Sequence, residues 1–387
     1  MNIVKATARY EDWLEKRLTV IPADVSWKHS QMAAGVFPFL RATYYRWAQT
    51  WEKVCGPVAR APSALAVGDL HVENFGTWRD IEGRLIWGIN DFDEVFPLPY
   101  TNDLVRLATS AFFSIEGGEA FVCDTLLAGY AAALEAGGCP FVLAEHHPHL
   151  REMASARLHQ PEKFWDKLHS QPDLAGKVPA GAIKALAALM PEGGIDWRIV
   201  HRIAGLGSLG RQRFVALANW RGGSLAREAK ALAPSACVWA ERGKGTDRIR
   251  YREMLDSAVR CRDPFVSVRA RWIVRRLAPD CSRIELSSLP REREAARLLH
   301  DMGWETANIH LGSLKSRTLL ADLKKRPRGW LKQAATAMRK AVVADWGDWK
   351  AHGTGVPEAK PAADDSIDSR RRWPGKRTDS GGRPVKV

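Results

Sequence analysis

The sequence predicts an α+β fold in which two helical segments flank a smaller, strand-rich segment. Three observations support this prediction. Helical periodicity dominates up to about residue 190, strand-like alternation follows Asp196, and helical periodicity returns at Arg291. A Pro- and Gly-containing break at Pro191–Gly194 separates the first two segments. We therefore expect a helical lobe over residues 1–194, a small β-rich lobe over 195–290, closing helices over 291–350 and a disordered tail over 351–387.

The first lobe is expected to contain several helices and two short buried strands. The helices are predicted over Phe37–Val54, Asp103–Ile115 and Ala120–Ala136, with one more around Leu14, Leu18 and Val20 and others continuing to Met190. The apolar run Ala64–Val67 ends at Gly68 and predicts the first strand. Arg84–Asn90 predicts the second strand, which ends at Asp91.

The middle lobe is expected to be a small sheet, because its segments are rich in β-branched and aromatic residues. Its strands are predicted over Arg213–Asn219, Leu225–Leu232, Val266–Leu277 and Ser282–Leu286. From Ala351 onward Pro, Gly, Ser, Asp and Arg dominate, and this composition is typical of a disordered tail.

The net charge of +14 and the pI of about 9.7 permit attraction to nucleic acid, anionic membranes or phosphorylated substrates. They do not choose among these partners. A solvated basic surface is the favoured interpretation, because the folded part contains no strong basic block, so a nucleic-acid partner is not favoured.

The cysteine pattern and the hydropathy bear on the cellular compartment in which the protein is expected. The six cysteines contain no C-x-x-C pair, which argues against a common zinc site and favours a reducing cytoplasm. The first twenty residues lack the apolar stretch of a signal peptide. No run of about 18 apolar residues is present, so no membrane span is expected.

Polar residues follow both predicted strands of the first lobe. Asp69 and Asn74 lie in Gly68–Gly76, directly after the first strand, and Asp91-Phe92-Asp93 comes after the second. This order places the acids and the amide at the mouth of a hairpin. Phosphoryl transfer needs a carboxylate for the attacking hydroxyl and hard oxygen ligands for Mg²⁺. The sequence therefore predicts a metal-and-phosphate site here.

Three motifs carry a resemblance to known families. GDLHVENFG, INDFDEV and NDLVRLATS resemble a bacterial domain-of-unknown-function family, number 2252, over roughly Met32–Ser313. The pattern G-D-x-H-x-x-N followed by D-F-D is similar to the catalytic and metal-binding segments of aminoglycoside phosphotransferases and other kinase-like proteins. The resemblance implies ATP and Mg²⁺ as cofactors.

The same resemblance implies residue roles. Asp69 would be the catalytic aspartate, Asn74 a metal ligand, Asp91 the principal metal ligand and Asp93 a second acid near the metal. Asp103 is either the buried acid that braces the catalytic loop or a simple helix N-cap, and the sequence leaves both open.

A phosphate-covering loop is expected in the middle lobe. Gly205, Gly207, Ser208 and Gly210 belong to a G-x-G-x-x-G motif that a predicted strand, rather than a helix, follows. A glycine loop between two strands is the arrangement found in kinases.

Lys230, near the end of the next strand, is the candidate phosphate-binding lysine. The resembled family usually has an acid after this lysine, whereas this chain has Ala231, and only Glu228 and Glu241 are candidates for the partner of Lys230. Because these parts follow the catalytic segment, the resemblance implies a two-lobed, kinase-like fold that is circularly permuted.

The favoured function is an ATP- and Mg²⁺-dependent phosphotransferase that acts on an unidentified small-molecule or protein acceptor. A metal-dependent phosphohydrolase ranks second, since the upstream D-x-H and downstream N-H-[DE] of bimetal sites are missing. A non-catalytic nucleotide- or polyanion-binding protein is the third alternative. His146–His149, His310 and Arg41 are weaker candidates for site residues.

Overall fold

The computed structural model describes residues 1–115, 118–158, 161–241, 246–281 and 292–352. In these segments the chain has a mixed α+β fold with antiparallel sheets, as the sequence predicts. Most of the helices precede or follow one five-stranded sheet. The predicted strand Ser282–Leu286 and residues 353–387 of the predicted tail lie outside the described residues.

Four helices form the N-terminal region, where the sequence indicates fewer and longer ones. They are α1 (Ile3–Glu15), α2 (Pro22–Ala34), α3 (Val36–Ala42) and α4 (Tyr44–Cys55). Asn2 caps α1 by accepting a hydrogen bond from the backbone N–H of Lys5. Gly35 ends α2, and Thr43 ends α3. The predicted helix Phe37–Val54 is therefore broken at Thr43.

Two small antiparallel sheets follow, and they correct the predicted strand pairing. Their strands are β1 (Ser63–Ala66), β2 (Phe75–Arg79), β3 (Leu85–Ile89), β4 (Phe96–Pro99) and β5 (Phe141–Val142). The predicted strands correspond to β1 and β3, but these do not pair with each other. β1 pairs with β4, whereas β3 lies between β2 and β5. The hairpin is therefore formed by β2 and β3, with Asn74 before it and Asp91 after it.

The helical core lies behind these sheets. Its helices are α5 (Thr101–Ala111), α6 (Glu119–Ala136), α12 (Glu292–Leu311), α13 (Ser316–Lys325) and α14 (Trp330–His352). α6 and α12 pack closely, because Gly129 and Gly303 each face the backbone of the other helix. A Cβ atom at Gly129 would overlap His300 O, so glycine is required for this approach. α14 packs against α5 and α4 and ends at His352, so residues 351–352 of the predicted tail are helical.

The middle segment forms a five-stranded antiparallel sheet in the order β6-β7-β8-β10-β9. Its strands are β6 (Trp197–His201), β7 (Arg213–Trp220), β8 (Gly223–Ala231), β9 (Ser267–Arg269) and β10 (Trp272–Leu277). The predicted strand Val266–Leu277 is thus a hairpin, which turns at Ala270 with a positive φ of 51°. Two short helices, α10 (Ala236–Ala240) and α11 (Tyr251–Ser257), follow β8 and were not expected.

Two helices, α8 (Pro161–His169) and α9 (Ala180–Ala187), pack on opposite faces of this sheet, whereas α7 (Pro148–Leu158) packs against the core of the first lobe. α9 packs on the face that contains Phe214 and Ala229. Leu168 of α8 packs on the opposite face against Val215. That second face also includes Lys230, which contacts Asp93 of the first lobe. No helix in the described segments is long and apolar enough to cross a membrane.

Candidate functional site

The loop after β1 is held by Asp103 of α5. Its carboxylate accepts hydrogen bonds from Val67 N at 2.7 Å and Gly68 N at 2.9 Å. Gly68 has a φ of +80°, and a Cβ atom there would lie 2.5 Å from Glu94 O, so only glycine fits. The N-cap position of α5 is Tyr100, so the N-cap alternative for Asp103 is wrong. Asp103 braces the loop that carries Asp69.

A buried chain of hydrogen bonds continues from Asp103. His310 Nε2 lies 3.2 Å from Asp103 Oδ2, and His310 Nδ1 lies 2.9 Å from the hydroxyl of Tyr130. All three side chains are fully buried. His310 therefore supports the loop from inside the core, as a buried structural residue.

Asp69 is held by an arginine that the sequence reasoning missed. Arg106 of α5 donates through Nε to Asp69 Oδ1 at 2.8 Å and also through Nη2. The guanidinium is fully buried and stacks over Tyr44 and Trp47, with centroid distances of 5.0 and 4.8 Å. Burial raises the pKa of Asp69 to about 7, although Arg106 acts in the opposite direction. A carboxyl with this pKa can exchange a proton near neutrality.

Asn74 closes a tight turn ahead of β2. Its Oδ1 accepts a hydrogen bond from His71 N at 2.6 Å, and His71 Nδ1 accepts one from Glu73 N at 3.2 Å. Each side chain therefore satisfies a backbone donor of the same turn, as in a capping box. His71 therefore braces the loop. An amide oxygen has two lone pairs, so Asn74 Oδ1 keeps one for a further partner.

Asp91 and Asp93 lie on either side of the Lys230 ammonium. Lys230 Nζ is 2.7 Å from Asp93 Oδ2 and 3.5 Å from Asp91 Oδ1. The Lys230 side chain is 3% exposed and that of Asp93 is 9% exposed, whereas that of Asp91 is 33% exposed. Asp91 is consequently the more solvent-exposed acid of the pair.

The two carboxyls have opposite pKa shifts. Burial opposes the ionisation of Asp91, but the charges of Lys230, Arg275 and Arg213 outweigh it and lower its pKa. Burial and the neighbouring charge of Asp91 raise the pKa of Asp93. In addition, Asp93 Oδ1 is buried without a hydrogen-bond partner. The pair therefore leaves one buried oxygen that a further cation or proton would satisfy.

Arg211 anchors the same turn from the other lobe. It lies 3.4 Å from Asp93 Oδ2 and 3.0 Å from Glu94 Oε1. Glu94 Oε2 also accepts a hydrogen bond from Ala236 N at 2.6 Å. These contacts fasten Asp93 and Glu94 to the loop before β7 and to the start of α10 after β8.

The glycine loop lies against Asp69. A Cβ atom at Gly207 would be 3.0 Å from Arg41 O and 3.3 Å from Asp69 Oδ2. Gly205 and Gly210 have φ angles of +71° and +93°, which L side chains rarely adopt. Ser208 accepts a hydrogen bond from Arg213 Nη2 at 2.9 Å, so its hydroxyl is fixed by the strand after the loop. The structure thus brings the loop and Asp69 together.

Glu228 does not pair with Lys230, contrary to one expectation. Its buried carboxylate lies between three arginines, with distances of 2.7 Å to Arg202, 3.0 Å to Arg213 and 2.8 Å to Arg275. Burial opposes its ionisation, but these arginines hold its pKa well below the usual range. Among the described residues Glu241 forms no ion pair with Lys230 either, whose acidic partners are Asp91 and Asp93.

The oxygen atoms of the candidate site are of the type that Mg²⁺ prefers as ligands. Asp91, Asp93 and Asn74 offer hard oxygen atoms, and one of them, Asp93 Oδ1, is buried and unpartnered. The described part of the chain contains no group of three or more His, Cys, Asp or Glu residues that could hold a metal ion. Proteins often bind Mg²⁺ through one or two carboxylates together with substrate phosphates, which agrees with this sparse set.

The other sequence candidates lie apart from this arrangement or support it indirectly. His149 Nε2 pairs with Asp301 at 2.6 Å, at the start of α7. Arg41 Nη1 lies 2.5 Å from Glu73 Oε2, and the Arg41 backbone oxygen contacts the glycine loop. Arg41 therefore helps to join α3 to the loop region.

The sequence contained a usable signal for the missed residues. Arg106 lies in a helix whose residues are all buried, and Arg213 and Arg275 lie in strands that consist largely of buried residues. A buried charge is retained only with a partner, so each of them pointed to a buried acid. Which acid it meets depends on the tertiary fold and could not be read from the sequence.

Comparison with known proteins finds a match to one family model. No curated protein and no solved structure matches the chain. The matched family model covers residues 17–118, which include Asp69, Asn74, Asp91 and Asp93 but not the glycine loop or Lys230. That match is shorter than the expected resemblance over Met32–Ser313. Over those residues the chain is similar to a family described as uncharacterized protein conserved in bacteria (DUF2252).

Proposed function

We propose that this protein is an ATP- and Mg²⁺-dependent phosphotransferase with a kinase-like, circularly permuted arrangement. The observation that carries the proposal is the meeting of two distant segments. Gly207 lies against Asp69, and Lys230 Nζ lies 3.5 Å from Asp91. One segment offers a carboxylate base and metal ligands, and the other offers backbone amides and a cation. Phosphoryl transfer depends on both sets acting on the same phosphate.

Asp69 is the proposed general base. Its Oδ1 is fixed by Arg106, while its Oδ2 lies on the side of the glycine loop. A base held in this way can orient an acceptor hydroxyl and take its proton as the phosphoryl group is transferred. Arg106 leaves the base little rotational freedom, which lowers the entropy lost in reaching the reactive geometry.

The proposed metal ligands are Asp91, with Asn74 and Asp93 beside it. Bound Mg²⁺ would neutralise charge on the phosphate oxygens of ATP. Lys230 now lies between the two acids, and we expect its ammonium to turn toward the phosphates when a nucleotide is present. Gly205, Gly207, Ser208 and Gly210 would place the loop over the phosphates, with Asp69 beneath.

The permutation follows from the order of the parts along the chain. The proposed catalytic loop and metal ligands precede the glycine loop, whereas they follow it in an ordinary kinase. Contacts from Arg211 and Lys230 join the two regions after the order is changed. Permutation of this kind is tolerated when the new termini lie at the surface.

The test is transfer of the γ-phosphate from labelled ATP to a panel of metabolites and proteins, including the protein itself. We expect Mg²⁺-dependent transfer in the wild type and a loss of about a hundredfold or more in Asp69→Asn, because Asn cannot accept the proton. Asp124→Asn is the matched control, since Asp124 is exposed on α6. Full activity of Asp69→Asn contradicts the proposed base. Nucleotide binding without transfer supports the non-catalytic alternative instead.

A further inference from the structure

An arginine cluster surrounds Glu228 on the sheet face that points toward the first lobe. Glu228 lies in β8, with Arg275 directly opposite it on β10. Arg275 Nε donates to Glu228 Oε1 at 2.8 Å, and Arg213 Nη1 donates to the same oxygen at 3.0 Å. Arg202 donates to Oε2 at 2.7 Å. One buried negative charge is therefore surrounded by three positive charges.

Asp91 offsets part of this positive charge, because it interacts with both Arg275 and Arg213. The remaining positive charge needs a reason, because burying an uncompensated charge is unfavourable. Arg213 has a second task within the protein. Its Nη2 donates to Ser208 Oγ at 2.9 Å and so supports the glycine loop. Arg213 is consequently committed to the loop, and its role does not account for Arg275.

Arg275 has hydrogen-bond donors that do not contact Glu228. It uses Nε to contact Glu228, and in the described segments its two terminal nitrogens have no hydrogen-bond partner. Its side chain is 26% exposed, so those nitrogens are open to solvent while the stem is fixed. A guanidinium held through Nε presents its terminal N–H groups as a fork, which matches the oxygen atoms of a phosphate.

The position of Arg275 relates it to the nucleotide site. Residues two apart on a strand share a face, so Lys230 and Glu228 lie on the same side of β8. Arg275 lies opposite Glu228 on that side, and Lys230 Nζ is 3.5 Å from Asp91. Arg275 is therefore beside the lysine and the acid that are proposed to meet the phosphates.

We propose that Arg275, oriented by Glu228, binds oxygen atoms of a polyphosphate group at the site that contains Lys230 and Asp91. The inference rests on the proposed function only in identifying that group as part of a nucleotide. We expect this site to bind chains of phosphates and to bind ATP more tightly than AMP. Glu228 acts as the positioning residue, since it contacts the arginine rather than the ligand.

Binding of inorganic tripolyphosphate without Mg²⁺, measured by titration calorimetry, tests the inference apart from any transfer activity. We expect the wild type to bind it and Arg275→Met to bind at least about tenfold more weakly, the effect of one charge-assisted hydrogen bond. Arg221→Met is the matched control. Arg221 lies at the β7–β8 turn of the same sheet, with a side chain that is mostly exposed, and its loss changes the charge equally.

Arg275→Lys separates charge from geometry. It keeps the positive charge but loses the fork, so we expect weaker binding than in the wild type and a smaller preference for ATP over AMP. If Arg275→Met fails to fold, Arg275→Lys still tests whether Arg275 binds the phosphates. Binding equal to the wild type in the folded variants overturns the inference.

The two proposals fail separately. A wild-type protein that binds Mg²⁺·ATP but not tripolyphosphate overturns the inference and leaves the proposed function standing. Tripolyphosphate binding that depends on Arg275, in a protein without transfer activity, supports the inference and counts against the phosphotransferase.

Discussion

Lys230 and Asp93 lie 137 positions apart in the chain, and their side chains are joined by a 2.7 Å ion pair. This contact connects the five-stranded sheet to the turn that follows β3. Asp91 lies 3.5 Å from the same ammonium and has the more exposed carboxylate. The ammonium thus lies where the two acids would otherwise repel each other.

Replacement of Lys230 should therefore make the stability of the protein depend more strongly on Mg²⁺. In Lys230→Met we expect a loss of about 3 kcal/mol of stability without Mg²⁺, because the acid pair loses the one cation in the described segments that contacts both carboxylates and keeps only Arg211 beside Asp93. Millimolar Mg²⁺ alone should restore part of this loss and should stabilise the wild type less. Urea unfolding at several Mg²⁺ concentrations measures both effects.

Lys184→Met on the exposed side of α9 is the control for this experiment and should respond to Mg²⁺ as the wild type does. An equal Mg²⁺ response in Lys230→Met and wild type would show that Asp91 and Asp93 do not bind the metal.

Gly207→Ala tests the contact between the loop and Asp69. The added methyl group would lie 3.3 Å from Asp69 Oδ2 and 3.0 Å from Arg41 O, so the neighbours must shift slightly. We expect a stability loss of about 1 kcal/mol and a fall in transfer rate of about tenfold. Gly193→Ala, where no atom lies within 4 Å, should leave both unchanged. Unaltered transfer in Gly207→Ala would mean that the loop does not act with Asp69.

Asp103→Ala should destabilise the protein strongly. The change leaves Val67 N and Gly68 N buried without their acceptor and removes a partner of His310. Each unsatisfied buried donor costs about 1–3 kcal/mol, so a loss of about 3 kcal/mol or more is expected. Asp124→Ala, at an exposed position of α6, should change the free energy of unfolding by less than about 0.5 kcal/mol. A loss below about 1 kcal/mol in Asp103→Ala would refute the bracing role.

The pKa of Asp69 predicts the pH dependence of transfer. A general base must be ionised, and burial raises the pKa of this carboxyl to about 7. The value of kcat/KM should therefore fall about tenfold for each pH unit below about 7 and level off above it. Initial rates between pH 5.5 and 8.5 provide the measurement. A flat profile across this range would contradict the assignment of Asp69 as the base.

Sequence periodicity predicted the α+β class and the strands β1, β3, β7 and β8, because helices and strands bury their apolar residues with different spacing. It failed where local signals were weak. β4 contains Pro97 and Pro99, which argue against a strand, yet it pairs with β1 in a two-stranded sheet where an edge tolerates proline. The turn at Ala270 has no glycine or proline to mark it, so two strands were predicted as one.

The residues of the candidate site were easier to find than their partners. Asp69, Asn74 and Asp91 stand next to strand ends, and a strand end followed by polar residues is visible in a sequence. Arg106 reaches Asp69 from α5, and Arg275 reaches Glu228 from a neighbouring strand. Such contacts depend on how the elements pack, and one sequence carries no record of that packing.

The most direct test of the account is the melting temperature of the protein with Mg²⁺·ATP. At a nucleotide concentration of about 100 times Kd, binding should stabilise the wild type by about 2.7 kcal/mol, which a melting curve resolves. Asp91→Ala should lose this shift, because it removes the most exposed of the proposed metal ligands, while Asp173→Ala at an exposed position should keep it. An unchanged melting temperature of the wild type at millimolar Mg²⁺·ATP would contradict the central claim.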